Sequence, residues 1–168
     1  VLRFEDGEEL AAAKCMVAVG RQPGSRGLAP ENAGVKTFGP GWIETDEHLM
    51  AAPGIYAIGD SNKRVLLAHA AEHQAHYAVG HILGEEEDAY NSDPMPSCIY
   101  GNNEIMHVGP HADQLVKEFK PQGKEVSVSY SQLVANPIAQ AYGCNQGWIK
   151  VTWVEGKVYS VAGWGHGV

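Results

Sequence analysis

The feature that most narrows the folds open to this chain is the run Ala52-Pro53-Gly54-Ile55-Tyr56-Ala57-Ile58-Gly59-Asp60, followed closely by Leu66-Leu67-Ala68-His69-Ala70-Ala71-Glu72-His73. Residues 55–58 read as a short apolar strand introduced by Pro and Gly, and a helix opens at Leu67. Gly59 lets another group approach the backbone closely. Asp60 puts an acceptor carboxylate at the carboxyl end of the strand, where open α/β sheets bind ligands. The helix start offers unpaired N–H groups and the positive end of a dipole. Together these suit a polar, partly anionic cofactor, and they predict an α/β architecture.

The rest of the first half is less regular. Residues 1–4 and 13–19 flank the turn-rich Glu5-Asp6-Gly7-Glu8-Glu9 and read as a hairpin or as neighbouring strands. Lys14-Cys15-Met16-Val17-Ala18-Val19 is nearly continuous apolar, as expected of a strand buried on both faces. Pro23, Gly24, Gly27 and Pro30 make residues 20–30 irregular; a short helix at 31–33 should stop at Gly34, and Trp42-Ile43 adds a short strand. Residues 67–83 form the clearest helix, with Ala68, Ala71, Ala75, Ala78, Val79 and Ile82 on one face at 3.6-residue spacing and Gly84 as its stop. Side chains this small predict close approach to a sheet or to a flat ligand. His69, His73 and His76 fall on the other face.

Glu85-Glu86-Glu87-Asp88 and then Asn91-Ser92-Asp93-Pro94 mark the best boundary, an acidic, turn-rich stretch that reads as a solvated linker. Beyond it come short strands at 98–100 and 104–108, a helix at 113–119 and a strand at 125–130. Residues 148–154 and 158–164 pair as a hairpin across Glu155-Gly156-Lys157. Residues 131–143 are the least legible; Asn136-Pro137 marks a turn there.

Taken whole, the run from Ala52 to His73 resembles the second flavin-binding segment of the pyridine-nucleotide disulfide oxidoreductases, and most closely their dihydrolipoamide dehydrogenase branch. Val17-Ala18-Val19-Gly20-Arg21-Gln22-Pro23 and Glu31-Asn32-Ala33-Gly34-Val35 are similar to the family pattern in order and spacing, as are Pro96-Ser97-Cys98-Ile99-Tyr100, Glu104-Ile105 and Val108-Gly109. The resemblance implies a mixed α+β chain in three parts. Residues 1–50 would be the end of an NAD-binding domain and 51–88 the end of an FAD-binding domain, both Rossmann-like; 89–168 would be part of an interface domain that builds a homodimer. It also implies FAD and NAD as cofactors of the complete enzyme, and subunits of 2-oxoacid dehydrogenase complexes as further partners. No G-x-G-x-x-G loop and no pair of Cys separated by four residues occurs, and the acid/base His-x4-Glu helix that the family carries further on is missing. The chain is therefore read as an internal or C-terminal piece, or the product of a truncated gene, that holds no flavin and has no dehydrogenase activity alone. Departures from the pattern include Gly24, Gly101-Asn102-Asn103-Glu104, Met106 and Gln74-Ala75.

By the same resemblance, Gly59 and Asp60 reach the flavin's ribityl chain, while the backbone at Leu67, Ala68 and His69 lies beside the pyrimidine end of its ring. A helix start there would offset negative charge on reduced flavin by ~0.3–2 kcal/mol. Gly20 would border the nicotinamide-nucleotide site. Arg21 would either give forked hydrogen bonds to phosphate or ribose oxygens, or bridge two domains structurally. The blander readings are a capping Asp60 and a stripe of core alanines. No catalytic residue is assigned. His69-Ala70-Ala71-Glu72-His73 also fits H-x-x-E-H, the inverted zinc-peptidase pattern, but no third ligand is evident and no metal site is assigned. His107, His111 and His166 are read as isolated surface or capping residues.

A formal charge of −8 argues against a nucleic-acid partner, and no apolar run reaches the ~20 residues of a membrane span. Three scattered cysteines, Cys15, Cys98 and Cys144, suit neither a disulfide framework nor a thiolate zinc site. Each is expected to be a small buried or half-buried hydrophobe in a reducing, cytoplasmic setting.

Overall fold

The computed structural model describes residues 1–25 and 27–166. Eleven strands and three α-helices follow one another among them. At the N-terminus β1 (Leu2–Arg3) and β2 (Glu9–Leu10) form a two-stranded ribbon, Leu2 facing Leu10 across a turn closed by Gly7 N–H to Phe4 O, 3.0 Å. The predicted partner strand at 13–19 is not there. β1 pairs with residues nearer in sequence, and 13–19 run exposed without ladder bonds; Met16 and Val19 are 89% and 92% exposed. An apolar run becomes a strand only where a neighbour takes its N–H and C=O groups, and among the described residues none does.

From residue 30 the predicted short helix and the strand at 42–43 are found, and strands at 37–38 and 50–52 add to them. Pro30–Ala33 is a 3-10 turn ended by Gly34. β3 (Thr37–Phe38) pairs with β4 (Trp42–Ile43), and β5 (Met50–Ala52) with β6 (Ile55–Tyr56). Between these ribbons Asp46 Oδ1 accepts the N–H groups of His48 and Met50 at 2.9 Å each, fixing the loop that buries Leu49 completely.

Helix α1 (Ala68–Leu83) starts at Leu67 and ends at Gly84, which is left-handed at φ 74. Gly84 N–H to His81 O and Glu85 N–H to Gly80 O close its C-terminus. Its buried stripe is Ala70, Gln74 and Ala78. The predicted small-residue face is thus split: Ala78 is buried and Ala71 and Ala75 half-buried, while Ala68, Val79 and Ile82 are exposed. The helix turns toward the Gly59–Asn62 turn and Tyr90, and the far flank has no neighbour among the described residues.

The predicted linker is partly tied down. Residues 85–89 are exposed, but Tyr90 is buried; its N–H donates to Glu47 O at 2.8 Å and its ring meets Tyr77 edge-on at 5.1 Å. Beyond it lies a five-stranded antiparallel sheet in the order β7 (Ser97–Ile99), β8 (Glu104–Val108), β11 (Lys157–Gly165), β10 (Gly147–Val154), β9 (Val126–Gln132). The β10–β11 loop is two residues long, Glu155 and Gly156 both at positive φ (49 and 74), the turn whose twist matches a hairpin. Helix α2 (Ala112–Phe119) sets Leu115 and Phe119 on Val154 and Val126, the core of this half. Asn136, read as a turn residue, caps α3 (Pro137–Ala141) by accepting the Ile138 N–H at 2.9 Å.

Two expectations for single residues need correction. Cys15 is exposed, because it belongs to the unpaired 13–19 segment; Cys98 and Cys144 are half-buried as expected, and all three are free. His107 and His111 are not isolated: their rings stack at 4.3 Å, since β8 leads directly into the start of α2. Burial, then the facing His111, then Lys150 lower the pKa of His107 below the usual imidazole value.

Candidate functional site

β6 ends at Tyr56, and after Ala57 and Ile58 the chain makes a 3-10 turn, Gly59–Asn62. Gly59 is left-handed at φ 65, and a Cβ there would sit 3.0 Å from the Ala71 Cβ of α1. Only glycine satisfies both the dihedral and the space. Its N–H donates to Gln74 Oε1 at 2.8 Å, and Asn62 Nδ2 donates to the same oxygen at 2.8 Å and to Ala57 O at 2.9 Å. The side chains of Gln74 and Asn62 thus fasten the turn to the helix.

Asp60 stands on the outer side of this turn with its side chain 41% exposed, and its Oδ2 is ion-paired with Arg21 Nη1. The structure therefore brings together two predicted residues that are 39 positions apart. Gly20 lies beside it in exposed backbone at φ 129. Leu67, half-buried and extended at φ −134, is the N-cap of α1, and no side chain caps the helix. Ala68 is exposed. Among the described residues no side chain accepts from the first-turn N–H groups.

His69 is turned another way. Its Nε2 is 2.6 Å from Pro96 O; a carbonyl only accepts, so Nε2 carries the hydrogen. His73 Nδ1 is 3.3 Å from the Tyr90 hydroxyl. Among the described residues no group of three or more His, Cys, Asp or Glu side chains is gathered to hold a metal ion.

Sequence reasoning missed two features. The first is the Gln74–Asn62 clamp, whose only signal was a polar residue at a buried helical position. The second is an aromatic cluster behind the turn. Tyr77 donates its hydroxyl proton to Asp88 O at 2.5 Å, so His48 Nδ1–H must donate to Tyr77 at 2.7 Å. The His48 and His81 rings stack at 4.6 Å, and His81 Nδ1 is 2.6 Å from the Tyr56 hydroxyl. Burial first, then Glu86 and other nearby acidic groups, raise the Tyr77 pKa above the ordinary phenol value.

Residues 2–75, which include the whole of this arrangement up to the second turn of α1, match the family described as pyridine nucleotide-disulphide oxidoreductase. Over those residues the chain carries that family's pattern. It is 36% identical over 145 residues to a dihydrolipoyl dehydrogenase of Chlorobaculum tepidum, covering 86% of this chain and 30% of that protein. It is 33% identical over 150 residues to the dihydrolipoyl dehydrogenase of Bacillus subtilis, covering 88% and 31%. The chain thus spans about a third of the length of the relatives it matches. Its fold is similar to about a third of LpdA from Mycobacterium tuberculosis, with a TM-score of 0.83 at 22% identity, covering 97% of this chain and 35% of that one. A flavoprotein disulfide reductase of Escherichia coli, RclA, is similar with a TM-score of 0.77 at 22% identity, over 86% of this chain and 33% of that one. The mixed α/β architecture expected from the sequence is the observed one. No helix among the described residues is long and apolar enough to cross a membrane.

Proposed function

We propose that this chain supplies part of the flavin site, an edge of the nicotinamide site and part of the dimer surface of a dihydrolipoamide dehydrogenase, which oxidises dihydrolipoamide to lipoamide while reducing NAD⁺ to NADH. The observation that carries the reading is Asp60, held in a glycine turn that follows β6 and precedes an uncapped helix start. The family match supports it. Bound flavin would supply the two-electron chemistry. Gly59 and Asp60 would hold its ribityl chain, Asp60 by accepting hydroxyl hydrogen bonds. The backbone at Leu67, Ala68 and His69 would offer N–H groups and a positive dipole end to its anionic edge. Gly20 and Arg21 would line the nicotinamide side, Arg21 exchanging Asp60 for cofactor oxygens.

In this reading residues 1–50, 51–88 and 89–168 are parts of the NAD-binding, FAD-binding and interface domains. Homodimerisation through 89–168 is favoured by apolar residues left exposed around the sheet, among them Ile99, Tyr100 and Tyr130. The same exposure favours a second reading, in which the chain acts as a non-catalytic association module. The enzyme is placed in the cytoplasm, where its three free thiols stay reduced, with 2-oxoacid dehydrogenase subunits as partners.

These 168 residues hold no Cys-x4-Cys pair and no glycine-rich loop, so the chain alone is expected neither to retain flavin nor to reduce NAD⁺. Dihydrolipoamide-dependent NAD⁺ reduction by the purified chain would contradict that. A titration with FAD at high concentration should move the amide resonances of residues 59, 60 and 67–69 before any others. Shifts confined to other regions would overturn the site. Sedimentation as a well-behaved monomer would count against both the dimer and the association module.

A further inference from the structure

Gln74 is fully buried, and its two side-chain ends are treated very differently. Oε1 accepts two hydrogen bonds, from Gly59 N–H and from Asn62 Nδ2, both at 2.8 Å. Among the described residues Nε2 makes no hydrogen bond of good geometry, and the polar group it acts on is the Tyr90 hydroxyl. A residue present only to fill the space between α1 and the turn would be better apolar, because a buried donor without a good hydrogen bond is destabilising. What the amide gives in return is a single acceptor atom on which the first and last residues of the 3-10 turn converge. Asp60 and Ser61 lie between those two residues.

The remaining contacts of the turn agree with this. Asn62 also holds Ala57 O through Nδ2 and the Arg64 N–H through Oδ1. On the outer side the exposed Arg21 pairs with the Asp60 carboxylate, a contact that solvent screens. The inner clamp is dry and the outer one wet, so the inner clamp sets the position.

We propose that Gln74 is a positioning residue: its Oε1 fixes the Gly59–Asn62 turn and thereby the presentation of the Asp60 carboxylate, with Arg21 following. That Asp60 serves a flavin rests on the reading above; that Gln74 places it does not.

The test uses the purified chain and amide hydrogen exchange. In Gln74→Leu, exchange at Gly59 should quicken about tenfold relative to the amides in the middle of α1, the scale of one buried hydrogen bond. The carboxyl resonance of Asp60 should move as well. Gln74→Glu keeps an acceptor at the same reach and should restore both. Equal acceleration at Gly59 and along α1, or none at Gly59, would overturn the proposal, since the side chain would then only hold the helix. Should Gln74→Leu fail to fold, a through-hydrogen-bond coupling between the Gly59 nitrogen and the Gln74 carboxamide carbon in the unmodified chain decides; its absence refutes the clamp. If exchange behaves as expected while FAD moves no resonance at 59 or 60, the positioning role stands and the flavin reading falls.

Discussion

Residues 14–19 and strand β10 are both largely apolar, and they meet opposite fates. Lys14 to Val19 has the more continuous hydrophobic run, yet it lies open with no ladder partner among the described residues. Gly147–Val154 carries Lys150 and Thr152 in its middle, yet it is the spine of the sheet, bonded to β9 on one side and β11 on the other. Hydrophobicity makes a strand possible, and pairing makes it real. β10 gains both neighbours locally, one through a two-residue turn.

The sharpest way to break this contrast is hydrogen exchange. Central β10 amides should be protected on the order of a thousandfold or more over those of residues 14–19. Comparable protection in the two stretches would mean that 14–19 finds a partner in solution. Next in size is truncation of buried and open side chains. Leu115→Ala, beneath the sheet, should cost about 2–5 kcal/mol, whereas Val17→Ala should stay within about 0.5 kcal/mol. Chemical denaturation of both variants measures this. A third pair concerns glycines at positive φ. Gly156→Ala, in the β10–β11 turn at φ 74, should cost about 1 kcal/mol. Gly20→Ala, at φ 129 but in the open segment whose backbone can relax, should shift the unfolding midpoint less than Gly156→Ala does.

The smallest effect is on pH. The unfolded chain takes up a proton on His107 near the ordinary imidazole value, about 6.5, while the folded chain resists it because burial, His111 and Lys150 lower that pKa. Its contribution to stability is therefore complete above about pH 6.5 and is lost as the pH falls through the lowered folded value. Thermal midpoints between about pH 7.5 and 5 should fall less steeply in His107→Gln than in the unmodified chain. Parallel slopes would show that the stacked pair has no such cost.

What the sequence disclosed depended on how local the controlling interaction was. Strand 104–108 is found with the predicted bounds and α2 within a residue of them, because alternation and helical period act over a few positions. Gly34 and Gly84 stop their helical segments for the same reason, through a dihedral only glycine takes readily. Residues 14–19 misled because the deciding quantity was a neighbouring strand, which composition does not encode. At the candidate site, Gly59 and Asp60 were legible as a strand-end motif. The Arg21–Asp60 pair and the Gln74 clamp span 39 and 15 positions and follow from the way the turn meets the helix. His69 lies in the first turn of α1, but its bond to Pro96 depends on the path of residues 85–96, which looked like free tether.

That path has a mechanical consequence. Tyr90 is held to Glu47 O by its backbone N–H and lies against Tyr77, and Pro96 O is held by His69 immediately before β7 begins. Residues 91–95 are thus pinned at both ends, while the acidic residues 85–88 lie outside the pins. Any shift of the opening turn of α1 would tug directly on the edge strand of the sheet, as a hinge pin moves a door.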